Sequence, residues 1–168
     1  MKIVAEKPRH REAVLAVNRL AFKGDGEGQL IEALDRDGDV IASLVAVDVK
    51  DEVVGHILFS QLRVIIEGRE VIAAALAPMA VTPNRQNQGI GSQLVKHGIV
   101  TMKSAEQAAI IVLGHKQFYP RFGFRHDLAQ NLSCPFNQYD EFMGLELVED
   151  SLAGKVGTCR YPKAFAAV

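Results

Sequence analysis

The sequence predicts an α+β fold of α/β type, a mixed and mostly antiparallel sheet flanked by helices, built as one domain over residues 1–168. Three observations carry that expectation. The extended apolar runs Val40 to Val49, Val53 to Ile66 and Val71 to Val81 follow one another across Lys50-Asp51-Glu52 and Glu67-Gly68-Arg69-Glu70, turns short enough to require antiparallel neighbours. The third run leads through a glycine loop into a helical apolar face and then into Ala109-Ile110-Ile111-Val112-Leu113. A continuous β-branched run of that kind, reached by a crossover helix, makes a parallel neighbour buried on both faces. Finally, 168 residues fall within the usual span of about 100 to 200 for one domain, and no linker divides them.

Residues 2 to 5 read as a short strand. Pro8 suits the first turn of a helix, and Val14, Val17, Leu20 and Ala21 then share one face, so the first helix is expected from about Pro8 to Phe22. Gly24-Asp25-Gly26 breaks it. Leu30, Ile31 and Leu34 form a shorter amphipathic segment that Asp37-Gly38-Asp39 ends, and this glycine-flanked, mobile region is placed to line a substrate entrance. Pro78 has no N–H to give a ladder, so the strand from Val71 to Val81 should be interrupted near it, unless that strand is simply an edge. Ile90, Leu94, Val95, Ile99 and Met102 make a helical face running to about Ala105. Beyond the β-branched strand, Lys116 to Phe122 is a short helix or turn and Phe124 returns to extended structure. Asn131 to Tyr139 reads as a loop, Phe142 to Val148 as a strand and Gly157 to Tyr161 as a last extended piece.

With 48% hydrophobic and 23% charged residues, a net charge of -1 and pI ≈ 6.5, the composition is that of an ordinary soluble protein. No basic stripe or Lys/Arg block points to nucleic acid. The N-terminus becomes charged too soon for a signal-peptide core, and the longest apolar run, Val71 to Val81, is too short to span a bilayer, so no membrane partner and a cytoplasmic location are expected. Cys134 and Cys159 lack metal-type spacing and read as two free thiols, and no metal is expected.

The chemistry gathers at residues 71 to 92, where an apolar strand runs through a proline-marked turn and a glycine loop into a helix. Gly89 and Gly91 let the backbone turn tightly, and the helix offers unpaired first-turn N–H groups and the positive end of its dipole, a setting for phosphate or pyrophosphate. A P-loop would need Gly-Lys followed by Ser or Thr, and a dinucleotide fingerprint would need a third glycine; neither is present. What stands there is Gln86-Asn87-Gln88-Gly89-Ile90-Gly91, preceded by Ala77-Pro78-Met79-Ala80-Val81-Thr82-Pro83 and followed downstream by Phe118-Tyr119-Pro120-Arg121-Phe122-Gly123-Phe124. Taken together these resemble the Q/R-x-x-G-x-G/A loop, the fourth strand and the Tyr-x-x-x-Gly-Phe segment of the GCN5-related N-acetyltransferase (GNAT) family. The tail, with its Gly-x-x-x-Tyr-Pro-x-Ala-Phe end, resembles the YhbS-type branch of that family.

The resemblance implies the GNAT fold, with the sheet splayed near Pro78, and an N-acetyltransferase using acetyl-coenzyme A. It implies coenzyme contacts from Met79, Ala80 and Val81 on the splayed strand and from Gln86, Asn87, Gln88, Gly89, Ile90, Gly91 and Ser92 on the loop. Acetyl transfer from a thioester to an amine needs a neutral amine, a donor for the developing oxyanion and a proton for the departing thiolate. Backbone N–H groups at Met79, Ala80 and Val81 suit the second need. Tyr119 matches the family's general acid, its phenol being able to protonate a thiolate; the alternative is a core aromatic among Phe118, Phe122 and Phe124. The base is left open among His56, Glu32, Glu70 and water. Where many family members carry an Asn after the fifth strand, this chain has Leu113-Gly114-His115-Lys116, which puts coenzyme placement near that strand in doubt. The implied partner is a small-molecule or peptide amine of unspecified identity, with a homodimer left open; the competing reading is a non-catalytic acyl-coenzyme A-binding or sensor domain.

Overall fold

The longest strand sets the architecture. In the computed structural model, which describes residues 1–137 and 139–167, β3 (Val53–Ile66) has three antiparallel partners. Along its first half it pairs with β2 (Val40–Val47), and along most of its length with β4 (Arg69–Val81). Its last four residues pair with β8 (Gly157–Arg160), which takes over the edge where β2 has ended. The sheet runs β1-β2-β3-β4-β5-β7, with β1 at Lys2–Ala5, β5 at Ala109–Leu113 and β7 at Phe142–Glu146; the two-residue β6 (Leu132–Ser133) pairs in parallel with β8. β4 and β5 are the parallel neighbours expected across the crossover helix α3 (Ile90–Ser104).

Side-chain alternation assigns the two faces. Val45, Val47, Leu58 and Leu62 point to the side covered by α1 (Arg11–Phe22) and α2 (Gly26–Arg36), where they pack with Val14, Leu30, Ile31 and Leu34. Leu44, Ala46, Ile57 and Phe59 point the other way, against Ile90, Leu94, Val95 and Met102 of α3. A β-carbon at Gly98 would lie 2.4 Å from Cζ of Phe59, so the absence of a side chain there sets how closely α3 approaches the sheet. Each fully buried Leu, Ile or Phe contributes about 1.5–3 kcal/mol, so these two layers hold most of the stabilisation.

Pro78 does less to β4 than the sequence suggests. The strand continues through it, and the cis Ala77–Pro78 peptide coincides with a register slip in which Ile57 pairs with Met79 but Phe59 with Leu76. A bulge absorbs the missing N–H on the β3 side. On the other side pairing with β5 stops at Leu76 opposite Val112, so the expected opening exists as a parting of β4 from β5. Smaller differences are local. Pro8–His10 is a 3-10 turn ahead of α1. β2 ends at Val47 because the Asp48 carboxylate accepts from the N–H groups of Lys50 and Glu52 and closes a turn. The strand expected to Val148 ends at Glu146. The stretch read as a loop from Asn131 to Tyr139 contains β6, while Gln138 within it lies outside the described residues. The one-turn helix α4 (His126–Ala129) is too short to show a period.

Candidate active site

Where β4 and β5 part, a cleft of about 1100 Å³ opens between the sheet, the start of α3 and the chain's C-terminal segment. Met79, Ala80 and Val81 form one wall. Freed from β5, every second backbone group there faces the cleft instead of a neighbouring strand. Gln86, Asn87, Gly89, Ile90, Gly91 and Ser92 line the adjoining end. Asn87 (φ 61) and Gly89 (φ 84) are both left-handed, which turns the backbone into α3 and presents its first N–H groups; Gly89 is the N-cap. The Gln86 side-chain amide donates to the Val81 carbonyl at 3.0 Å and ties the loop to the strand end. Gln88 departs from expectation. Its side chain folds back, donating to the Asn84 carbonyl and accepting from Nε of Arg85, and it does not line the cleft.

The two motif segments, far apart in sequence, meet here. A β-carbon at Gly91 would lie 3.4 Å from Cζ of Phe118 and 3.6 Å from Cε of Met79, so loop, parted strand and tyrosine segment share one wall. Tyr119 begins a 3-10 turn (Tyr119–Phe122) and its ring stands edge-on to Phe118 and Phe124, at 5.0 and 5.5 Å between centroids. Only 6% of Tyr119 is exposed, at the cleft, and burial pushes its phenol well above the ordinary tyrosine pKa. The departure at residues 113–116 has a local cause: a β-carbon at Gly114 would lie 2.3 Å from Cε2 of Tyr119, so an asparagine there is incompatible with this ring position.

Charge divides the cleft. Arg85 and Arg121 stand with His115 near the loop, Arg121 with its guanidinium 4.7 Å over the Phe118 ring and Arg85 3.5 Å from Asp48. Glu27, in the first turn of α2, is the one carboxylate lining the cleft among the described residues. Neither these arginines nor Glu27 stood out from the sequence; the signal available was the Gly24-Asp25-Gly26 break just before Glu27. Phe136, Tyr161 and Phe165 complete the wall at the Glu27 end.

Of the base candidates, none of the three side chains, His56, Glu32 and Glu70, lines the cleft. His56 is fully buried: its Nδ1 accepts from the Asn18 side-chain amide at 3.1 Å, which leaves the proton on Nε2 to be donated to Oγ of Ser43 at 2.9 Å. Ser43 in turn donates to Glu6, which also accepts from Nε of Arg11. Burial lowers the His56 pKa to about 4. Glu70 pairs with Arg63 at 2.9 Å at the start of β4, and Glu32 borders a small separate hollow between α1 and α2.

Cys134 and Cys159 are free thiols, but they are not isolated. The β6–β8 register, with Ser133 opposite Thr158, sets them side by side. The Cys159 S–H donates to the sulfur of Cys134, which holds the Cys134 thiol below the ordinary range, while the same bond and burial push Cys159 up. Alkylation by iodoacetamide, followed by mass spectrometry, should therefore reach half its maximal rate at Cys134 below the usual thiol midpoint and spare the buried Cys159. Equal labelling, or a Cys134 midpoint at the usual value of about 8.5, would refute this pairing.

A mixed sheet parted beside a glycine loop and a helix N-terminus is the fold of the GNAT acetyltransferases. The chain belongs to that family, residues 5–126 matching its acetyltransferase (GNAT) domain. Over 166 residues, 98% of each chain, it is 31% identical to the uncharacterized N-acetyltransferase YhbS of Escherichia coli (strain K12). The crystal structure of YhbS from Escherichia coli, in complex with coenzyme A, superposes with a TM-score of 0.88 over 98% of this chain and 91% of that one. A GNAT family acetyltransferase from Brucella melitensis, in complex with acetyl-coenzyme A, is 30% identical and superposes with a TM-score of 0.78, over 98% and 97% of the two chains. The expected fold and enzyme class, an acyltransferase, are met. Among the described residues no group of three or more His, Cys, Asp or Glu could hold a metal, and no helix is long and apolar enough to cross a membrane.

Proposed function

We propose that the protein transfers the acetyl group of acetyl-coenzyme A to a primary amine by direct attack, with Tyr119 as general acid. The observation that carries this reading is the meeting of the parted strands, the α3 N-terminus and Tyr119 in one cleft. Relatives that superpose on the chain bind coenzyme A and acetyl-coenzyme A, which supports the same donor here. The N–H groups of Asn87, Gly89, Ile90, Gly91 and Ser92 and the dipole of α3 receive the pyrophosphate, with Arg85 and Arg121 adding positive charge. The freed backbone of Met79, Ala80 and Val81 holds the pantetheine arm and donates an N–H to the carbonyl oxygen as charge builds there. The amine nitrogen forms its bond to the carbonyl carbon, the C–S bond breaks, Tyr119 hands its proton to the departing sulfur, and the surplus proton on nitrogen leaves to water, from which the Tyr119 phenolate takes up a proton again. A buried phenol is a weak acid, but the sulfur it serves departs into the same desolvated wall, where an unprotonated thiolate is also disfavoured.

Acetyl-coenzyme A turnover over a panel of amines, read as thiol release, tests the reading. Tight coenzyme binding without thiol release for any amine would instead indicate a sensor. The loop has its own prediction. A β-carbon at Gly91 meets nothing closer than 3.4 Å, so Gly91→Val introduces its side chain without a clash at the β-carbon. Its side chain fills the space where the pyrophosphate approaches, and coenzyme affinity should fall by at least about tenfold, or 1.4 kcal/mol. Isothermal titration with coenzyme A measures this; unchanged affinity would place the pyrophosphate elsewhere.

A further inference from the structure

The end of the cleft remote from the loop is chemically unlike the rest. It is walled by Phe22, Leu30, Phe136, Tyr161 and Phe165, with Glu27 among them. The last three rings form an edge-on cluster, Tyr161 standing 4.9 Å from Phe136 and 5.0 Å from Phe165 between centroids. The 3-10 turn bearing Phe165 (Lys163–Ala167) packs on α2, which carries Glu27 and Leu30, so ring cluster and carboxylate belong to one wall. A first-turn carboxylate can serve merely to complement a helix dipole. Glu27, however, is half-buried, lines the cleft and has no ion-pair partner among the described residues.

Resting on the acetyl-transfer reading, we infer that the acceptor is a small monoamine with an aryl or alkyl body, its ammonium held by Glu27 and its body laid against the aromatic wall. One carboxylate satisfies one ammonium. A polyamine or an aminoglycoside would bring further cationic groups into a wall with no second acidic side chain among the described residues, facing Arg85 and Arg121 at the other end, and each would be desolvated without a partner. Aromatic faces favour a cation beside them and an apolar body against them. Size agrees, because the about 1100 Å³ must also admit the coenzyme's arm. Glu27 binds the ammonium, and attack follows once that nitrogen has lost a proton to water.

The test is a comparison of phenethylamine with spermidine and kanamycin as acceptors, on the full chain with saturating acetyl-coenzyme A. Phenethylamine should be used with the higher kcat/KM, by about tenfold or more. Glu27→Gln should lower kcat/KM for phenethylamine about 30-fold, chiefly through KM, while coenzyme affinity stays the same, and Glu27→Asp should recover part of the loss. Phe22, 44% exposed, can be truncated without entering the core, and Phe22→Ala should raise KM for phenethylamine severalfold. Preference for spermidine or kanamycin, or an unchanged KM in Glu27→Gln, overturns the inference and leaves acetyl transfer standing. If no amine is acetylated, the functional reading fails. Calorimetry of phenethylamine on the coenzyme A-loaded protein then decides the subsite: Glu27-dependent binding upholds it, and no binding overturns it.

Discussion

Tyr119→Phe should lower turnover with an accepted amine by about 100-fold, equivalent to about 2.7 kcal/mol of lost transition-state stabilisation, with coenzyme affinity little changed. The substitution removes one oxygen and keeps the ring. Its edge-on contacts with Phe118 and Phe124, and its fit over Gly114, stay as they are, so the thermal midpoint should not move. Only the proton donor is lost, and that donor acts late, when the sulfur leaves. Burial holds the phenol protonated well beyond the ordinary tyrosine range, and the sign of that shift makes a second expectation. Loss of the acid form occurs only as pH rises through the raised pKa, so kcat should show no fall from Tyr119 ionisation up to about pH 10. Steady-state turnover of both proteins from pH 6 to 10 checks both points. Full activity in the phenylalanine variant would make Tyr119 a packing residue and water the proton source.

How much of this was legible in the sequence differs by element. The strands from residue 40 to 81, the loop and α3 were readable because each is local: a period of 2 or 3.6, a proline, a pair of glycines. The parting of β4 and β5 could be placed near Pro78 for the same reason, whereas its one-sided form depends on which neighbour accepts a bulge, a property of the assembled sheet. Gly114 departs from a family pattern in the sequence for a reason that lies in the tertiary structure, where the Tyr119 ring occupies its side-chain space. Glu27 had no periodic or spacing signal, since one carboxylate in a helix's first turn is common. Its meaning comes from the C-terminal rings that meet it across more than a hundred residues of chain. His56 is the reverse case: the residue type suggested a base, and burial with hydrogen bonds to Asn18 and Ser43 removed it from the chemistry.

That burial has a measurable consequence for stability. In the folded protein the His56 pKa lies at about 4, lowered first by burial and further by the Arg11 charge, against an opposing pull from Glu6; in the unfolded chain it returns to about 6.5. The group is neutral in both states above pH 6.5, so it makes no difference there. Below that value the unfolded chain binds a proton that the folded chain refuses, and stability falls as pH drops from about 6.5 towards 4. At about 1.36 kcal/mol per pKa unit, the loss approaches about 3 kcal/mol. Glu6 adds to the acid sensitivity only lower down. Hydrogen bonds from Arg11 and Ser43 outweigh the upward push of its burial, so its stabilisation is present above the normal carboxylate range and is lost as pH falls through its lowered pKa. Urea unfolding at pH 7.0, 5.5 and 4.5 should show the His56 slope. His56→Gln has no proton to take up, and although it starts less stable, its stability should change far less over the same interval. Equal slopes for the two proteins would show that the acid sensitivity arises from other groups and that His56 is protonated in the folded state.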